Sequence, residues 1–182
     1  CGMKDKIVLY ARKFRVYHRR IGYVFLIFFL IISVTGILLA LKDVLHLKPE
    51  IVITDSPNDS TWISLKEIDS ISKDYIYNKL ELDTVIDRID IRPTKGVAKV
   101  LFSNHFTELQ IDVSSGKILS VSSRVDTIIE KIHDGSIIDY FITKSNISKI
   151  TYSSLLSIGL IFMSISGVFL WYLPKKLKSR KQ

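Results

Sequence analysis

Two long stretches of the chain contain no charged residue. Ile21–Leu41 is a run of 21 residues rich in Phe, Ile and Leu, and Ile150–Pro174 is a second run of 25. At the helical rise of 1.5 Å per residue the first reaches about 30 Å, the thickness of a bilayer's hydrocarbon core. Both are therefore expected to be transmembrane helices, with Tyr152 near one end of the second and Trp171 and Tyr172 near the other, as interfacial aromatics. A cleaved signal peptide fits the first run poorly, because it is too long and no small-residue cleavage site follows it. Small residues lie within the runs: Ser33 and Gly36 in the first, and Ser153, Ser157, Gly159, Ser164, Ser166 and Gly167 in the second. They let helix backbones approach closely, so the second helix is expected to pack against the first or against a partner.

Between the runs the periodicity changes. Ser64-Leu-Lys-Glu67 has the form of a capping box opening a helix to about Lys79, with Ile68, Ile71, Tyr75 and Ile76 as its apolar stripe. Three strand-like runs follow: Val85–Ile91, Val97–Ser103 and Phe106–Val113, separated by turns at Pro93-Thr-Lys-Gly96 and Ser103-Asn-His105. The third alternates Leu109, Ile111 and Val113 with Glu108, Gln110 and Asp112. Ser114-Ser-Gly-Lys117 turns the chain into a short fourth run, Ile118–Ser122, and a helix carrying Ile128, Ile129 and Ile132 starts near Val125. The alternation implies one helix laid on a three- to four-stranded antiparallel sheet, an α+β domain. On this pattern Asp87, Asp90, Glu108 and Asp112 are expected on solvated strand faces.

Charge sets the orientation. Of 26 basic residues, seven lie in residues 1–20 against the single acid Asp5, and five lie in residues 175–182 against none. Residues 42–149 carry 14 basic and 17 acidic residues, so the net charge of +8 belongs to the two tails. A nucleic-acid-binding surface needs basic residues spread over a fold, which excludes that class. The positive-inside rule instead places both tails in the cytoplasm and the middle outside. The expected organisation is a basic cytoplasmic segment 1–20, a transmembrane helix 21–41 and an extracytoplasmic domain with a membrane-proximal helix 42–149. A second transmembrane helix 150–174 and a basic cytoplasmic tail 175–182 complete it. The sole cysteine, Cys1, excludes an internal disulfide, and Cys1-Gly2 reads as an addition or a truncated start ahead of Met3 rather than a lipidation site.

Three stretches resemble the bacterial PepSY-associated transmembrane family. Tyr17-His-Arg-Arg-Ile-Gly22, leading to Ile32-Ser-Val-Thr-Gly36, is similar to that family's His-Arg-x-x-Gly and Ser-x-Thr-Gly elements. The helix–strand module ending Ile111-Asp-Val-Ser-Ser-Gly-Lys-Ile118 is similar to the close of a PepSY domain. Ile132-His-Asp-Gly135, followed by Ser164-Ile-Ser-Gly-Val-Phe-Leu-Trp171, is similar to its His-x-Gly and Ser-x-Thr-Gly-x-x-x-Trp elements. The resemblance implies an inner-membrane protein with a periplasmic domain, associated with iron uptake. Larger members resemble haem-containing reductases of ferric siderophores. Those have four membrane helices where this chain has two, so a homodimer, or a subunit role in a larger complex, would restore a four-helix bundle.

Membrane haem is normally held by two axial side chains, most often His, on facing helices. The resemblance points to His18 and His133, and position alone adds His46, which follows the first helix. His133 would hold an outer b-type haem together with His46 or with a second copy's residue, and His18 would pair with its counterpart at the inner face. Plainer readings exist for both: His18 with Arg19 and Arg20 is a headgroup-binding cluster, and His133-Asp134 is a helix terminus bonded to its own loop. His105 reads as a solvated turn residue. No zinc-ligand spacing, phosphate loop, His-Glu-x-x-His or nucleophile elbow occurs. The functions in contention are a haem-linked electron-transfer component and a non-catalytic accessory subunit whose outer domain binds a partner protein or restrains a peptidase. A transmembrane sensor is weaker, since neither short tail offers an output domain.

Overall fold

The structure, a computed structural model, describes residues 3–54, 62–143 and 145–179. The expectations for Cys1-Gly2 and for the last residues of the basic tail fall outside them. The elements run α1 (Met3–Ala40), α2 (Leu65–Leu80), β1 (Ile86–Arg92), β2 (Val97–Phe102), β3 (Thr107–Asp112), β4 (Ile118–Ser123), α3 (Val125–His133), a short α4 (Ser136–Ile138) with a π-helical turn over Asp139–Thr143, and α5 (Ile147–Ser179). The chain divides into a sheet unit, Ile37–Lys131, and a helical unit made of residues 1–36 and 132–182.

In the sheet unit the four strands form an antiparallel meander in the order β1-β2-β3-β4. The capping box at the head of α2 is formed as the sequence implies: the Ser64 hydroxyl accepts from the Glu67 amide, and the Glu67 carboxylate accepts from the Ser64 amide. Those hydrogen bonds hold the Glu67 carboxyl below its usual range. Ile68, Ser72 and Ile76 of α2 are buried, and the core they enter contains Ala98, Val100, Phe102, Leu109, Ile111 and Val113. Fully burying each Ile, Leu, Val or Phe is worth about 1.5–3 kcal/mol, so this layer supplies most of the unit's cohesion. The turn from β3 to β4 needs glycine at position 116. Its φ is +71°, and a Cβ there would lie 2.9 Å from Ile71 on α2.

The other face of the sheet is not solvated, and here the sequence reading of Glu108 is corrected. Glu108 is 0% exposed. Its carboxylate meets Lys99 Nζ at 2.9 Å and Arg124 Nε at 3.7 Å, and Arg124 in turn binds Asp126 at 2.7 Å. Lys99 and Glu108 are diagonal neighbours, since Lys99 pairs with Gln110 and Glu108 with Leu101. Two cations and two anions thus compensate one another where lone charges would be prohibitively costly to bury. The chain leaving α1 covers them. The Gln110 carboxamide donates to the Glu50 carbonyl (2.9 Å) and accepts from the Val52 amide (3.0 Å), while the Asp126 amide donates to the Leu47 carbonyl (3.1 Å). Of the other carboxylates expected at the surface, Asp87 is exposed, and Asp90 and Asp112 are half-buried. Asp112 accepts from the Ser114 amide within its turn.

The helical unit contains both membrane-capable segments, Val8–Ala40 and Ile147–Leu173, whose mean hydropathies reach 2.7 and 2.0. Both present large apolar side chains outward, Val24, Ile27, Leu30, Ile158, Ile161 and Ile165 among them. A soluble protein would bury such faces, whereas a bilayer solvates them.

Two outcomes test the buried charges. Glu108→Ala should destabilise the sheet unit by about 3–5 kcal/mol, read as accelerated amide exchange across β2 and β3, because it strands Lys99. Replacing the pair with Lys99→Met and Glu108→Leu together should restore most of that protection. Burial raises the Asp126 pKa, but Arg124's hydrogen bond and charge outweigh it and leave the group below its usual range. A depressed carboxylate stabilises the fold above its unfolded pKa of about 4 and loses that contribution as pH falls through the folded value. Thermal stability should therefore drop on acidification below pH 4, less steeply in Asp126→Asn.

Candidate functional site: crossed histidine–hydroxyl pairs

Helices α1 and α5 run antiparallel against each other through a ladder of contacts. Phe14 meets Phe169 with ring centroids 5.1 Å apart, and Phe28 meets Tyr152 edge-on at 6.2 Å. Between these, glycines admit large partners from the opposite helix. A Cβ on Gly22 would lie 2.9 Å from Met163, and one on Gly159 would lie 2.7 Å from the Phe25 ring. The second helix thus packs against the first, glycine facing large side chain on each. Tyr152 is half-buried, its ring against Gly135. Gly135 has φ +78°, and any Cβ there would come within 2.6 Å of that ring.

Each end of this pairing holds one histidine. His18 of α1 meets Ser166 of α5 through Nδ1 at 2.7 Å. His133, at the last turn of α3, meets Thr35 of α1 through Nδ1 at 2.9 Å. Thr35 and Ser166 are both nearly fully buried. Thr35 stands 17 positions beyond His18, about 25 Å along α1 at helical rise, so the pairs sit at well-separated levels.

The hydroxyl protons fix the chemistry of the rings. Thr35 donates to the Ile31 carbonyl at 2.6 Å, and Ser166 donates to the Phe162 carbonyl at 2.6 Å. A hydroxyl has one proton, so toward the imidazole each can only accept. Nδ1 of each histidine must therefore carry hydrogen, and in the neutral ring Nε2 is left with its lone pair. A glycine follows each hydroxyl: Gly36 lies 3.5 Å and Gly167 3.7 Å from the neighbouring imidazole Cε1, measured from the position a Cβ would take.

Sequence reasoning found the histidines but not their partners, though the signal was there. Ser33-Val-Thr35-Gly36 and Ser164-Ile-Ser166-Gly167 are one pattern written twice, once on each antiparallel helix. The α1 copy receives His133 from α3, and the α5 copy receives His18 from α1.

His133 also lines a cleft of about 270 Å³ with apolar walls from Phe29, Ile32, Leu156 and Leu160. At its rim the Asp134 carboxylate binds Lys149 at 2.7 Å. Burial pushes that carboxyl's pKa up, yet the hydrogen bonds from Lys149 and Ser136 prevail and hold it below the usual range.

His46 belongs to the sheet unit, where it follows α1 with a left-handed backbone (φ 50°). Its Nδ1 meets Glu50 at 3.1 Å, and both side chains are largely exposed. His105, expected in solvent, is half-buried: it stacks on Phe102 with centroids 4.7 Å apart and reaches the Asp83 carbonyl at 2.9 Å. Among the described residues no three His, Cys, Asp or Glu side chains gather as a metal site.

An α+β sheet unit, and a helical unit of two antiparallel, membrane-capable helices with one hydroxyl-bound histidine at each level, are the parts of a membrane protein. The chain belongs to the PepSY-associated transmembrane family: the family's description, PepSY-associated TM region, matches residues 9–173. Comparison with curated proteins and with solved structures gives no significant match.

The tautomer assignment is directly testable. Thr35→Val removes the acceptor without changing shape, and imidazole nitrogen-15 shifts should then show His133 as a mixture of tautomers with His18 unaffected. Ser166→Ala should do the reverse. A His133 spectrum unchanged by Thr35→Val would sink the assignment.

Proposed function

We propose that this protein is a b-type-haem-linked electron-transfer component of the bacterial inner membrane, serving the reduction of extracytoplasmic ferric iron such as ferric siderophores. The observation that carries the reading is the pair of crossed histidine–hydroxyl contacts. Each holds an imidazole with Nδ1 donating and Nε2 open, against a helix whose apolar run carries no Asp, Glu, Lys, Arg or His. A polar side chain at membrane depth is costly and usually functional.

The donor set fits haem. His18 and His133 would each supply one ligating nitrogen, and the adjacent Gly36 and Gly167 leave the ring edges uncrowded. These two helices provide one such histidine per level, so a second ligand at each would come from a second copy or another subunit, as in a four-helix bundle. A second copy is favoured over His46, whose ring is largely exposed beside an equally exposed Glu50. When bound, haem iron supplies one-electron transfer between ferrous and ferric states. Thr35 and Ser166 orient the ligands and keep their tautomer, and the apolar walls around His133 exclude water. The basic residues flanking the outer ends of both helices support cytoplasmic termini and a periplasmic sheet unit.

An absorbance spectrum of the detergent-solubilised protein before and after dithionite tests this. The expected result is a Soret band that sharpens and shifts on reduction. His133→Ala and His18→Ala should each remove about half of the haem absorbance while leaving amide protection in β2 and β3 unchanged. A featureless spectrum from protein produced with ample haem would overturn the reading in favour of a non-catalytic accessory subunit.

A further inference from the structure

Between α3 and α5 the chain makes an elbow, described over residues 136–143 and 145–150, that turns Asp139 inward and Phe141, Ile142, Ile147 and Ile150 outward. Asp139 is nearly fully buried, and its carboxylate accepts from the Ser148 amide (3.0 Å) and the Lys149 amide (2.8 Å). It thereby satisfies two of the open donors at the start of α5 and places a negative charge at the positive end of the helix dipole. Asp134 secures the other side through the Ser136 amide and the Lys149 ammonium. With these groups occupied internally, Phe141 is 68% exposed and Ile142 76% exposed, with Ile147 at 70% and Ile150 at 63% beside them. Nothing in the local hydrogen bonding requires Phe141 or Ile142 to be apolar, and in water they would carry a penalty.

The apolar surface does not stop at the elbow. Ile147 and Ile150 open α5, and the exposed Ile158, Ile161 and Ile165 continue along the helix at helical spacing. The elbow's outward face is therefore continuous with a membrane-crossing face.

We propose that Phe141 and Ile142, with Ile147 and Ile150 beside them, form an interfacial anchor inserted at the headgroup–acyl boundary of the bilayer that α5 crosses. Such segments lie in the interface with their apolar side shallowly buried. Lipid is the occupant because the patch runs into a lipid-facing helix, and because Asp139 and Asp134 make their bonds on the inner side. The elbow begins directly after His133 and Gly135, so its depth sets the level of the His133–Thr35 pair. The inference stands on the elbow's geometry and holds whether or not haem is bound.

Spin labelling of the full chain in liposomes of phosphatidylethanolamine and phosphatidylglycerol tests it. In a Cys1→Ser background, Phe141→Cys and Ile142→Cys would carry single nitroxides, with Tyr77→Cys on the exposed face of α2 as the aqueous reference. The expected result is collision with oxygen several-fold favoured over a water-soluble nickel chelate at 141 and 142, and the opposite at 77. Labels at both positions that respond to the chelate as the reference does would overturn the proposal. Labels shielded from both reagents would also overturn it, showing a second copy or another protein covering the elbow. Agreement of the two sites guards against one variant misfolding.

Discussion

Everything in the helical unit depends on one constraint: a polar group taken into hydrocarbon must find its partner within the protein. Thr35 and Ser166 meet it twice over. Each hydroxyl proton goes to the carbonyl of the preceding turn, and each oxygen then accepts from a histidine on another element. The remaining α1–α5 contacts, glycine against Met163 and glycine against Phe25, bring the backbones close enough for those bonds to form. Steric fit and hydrogen bonding are thus a single design, and the fixed orientation of the two imidazoles is its product.

The sheet unit solves a related problem differently. Its core face is conventional, closed by α2, but the second face buries four charged side chains under the chain that leaves α1. Gln110 acts there as a substitute for strand pairing, its carboxamide donating to one backbone group and accepting from another two residues further on. A buried ion cluster adds little net stability over apolar residues, but it penalises any arrangement that separates its members.

Much of this was legible in the sequence. The two apolar runs, the Ser64 capping box, four strand-like segments and the helix near Val125 all correspond to observed elements, because periodicity and caps are local signals. Glu108 was misread because alternation along β3 tells which residues share a face and not what covers it. A clue lay on the neighbouring strand: Val97–Phe102 has a single polar residue, and every one of its positions is buried, as expected of a strand covered on both sides. His18 and His133 stood out by type and position. Their partners did not, because hydrogen bonds between residues 148 and 98 positions apart leave no trace in local spacing, only in the repeated Ser-x-Ser/Thr-Gly pattern.

That separation also bears on how the protein is made. Synthesis proceeds from the N-terminus, and α1 is complete long before Ser166 or His133 exists. The helix must enter the bilayer with His18 and Thr35 still lacking their mates, and its rotation stays undetermined until the second span is threaded. The histidine pairs then close last, so the proper lock between the two spans forms only after the stretch from His133 to Ser166 has been translated.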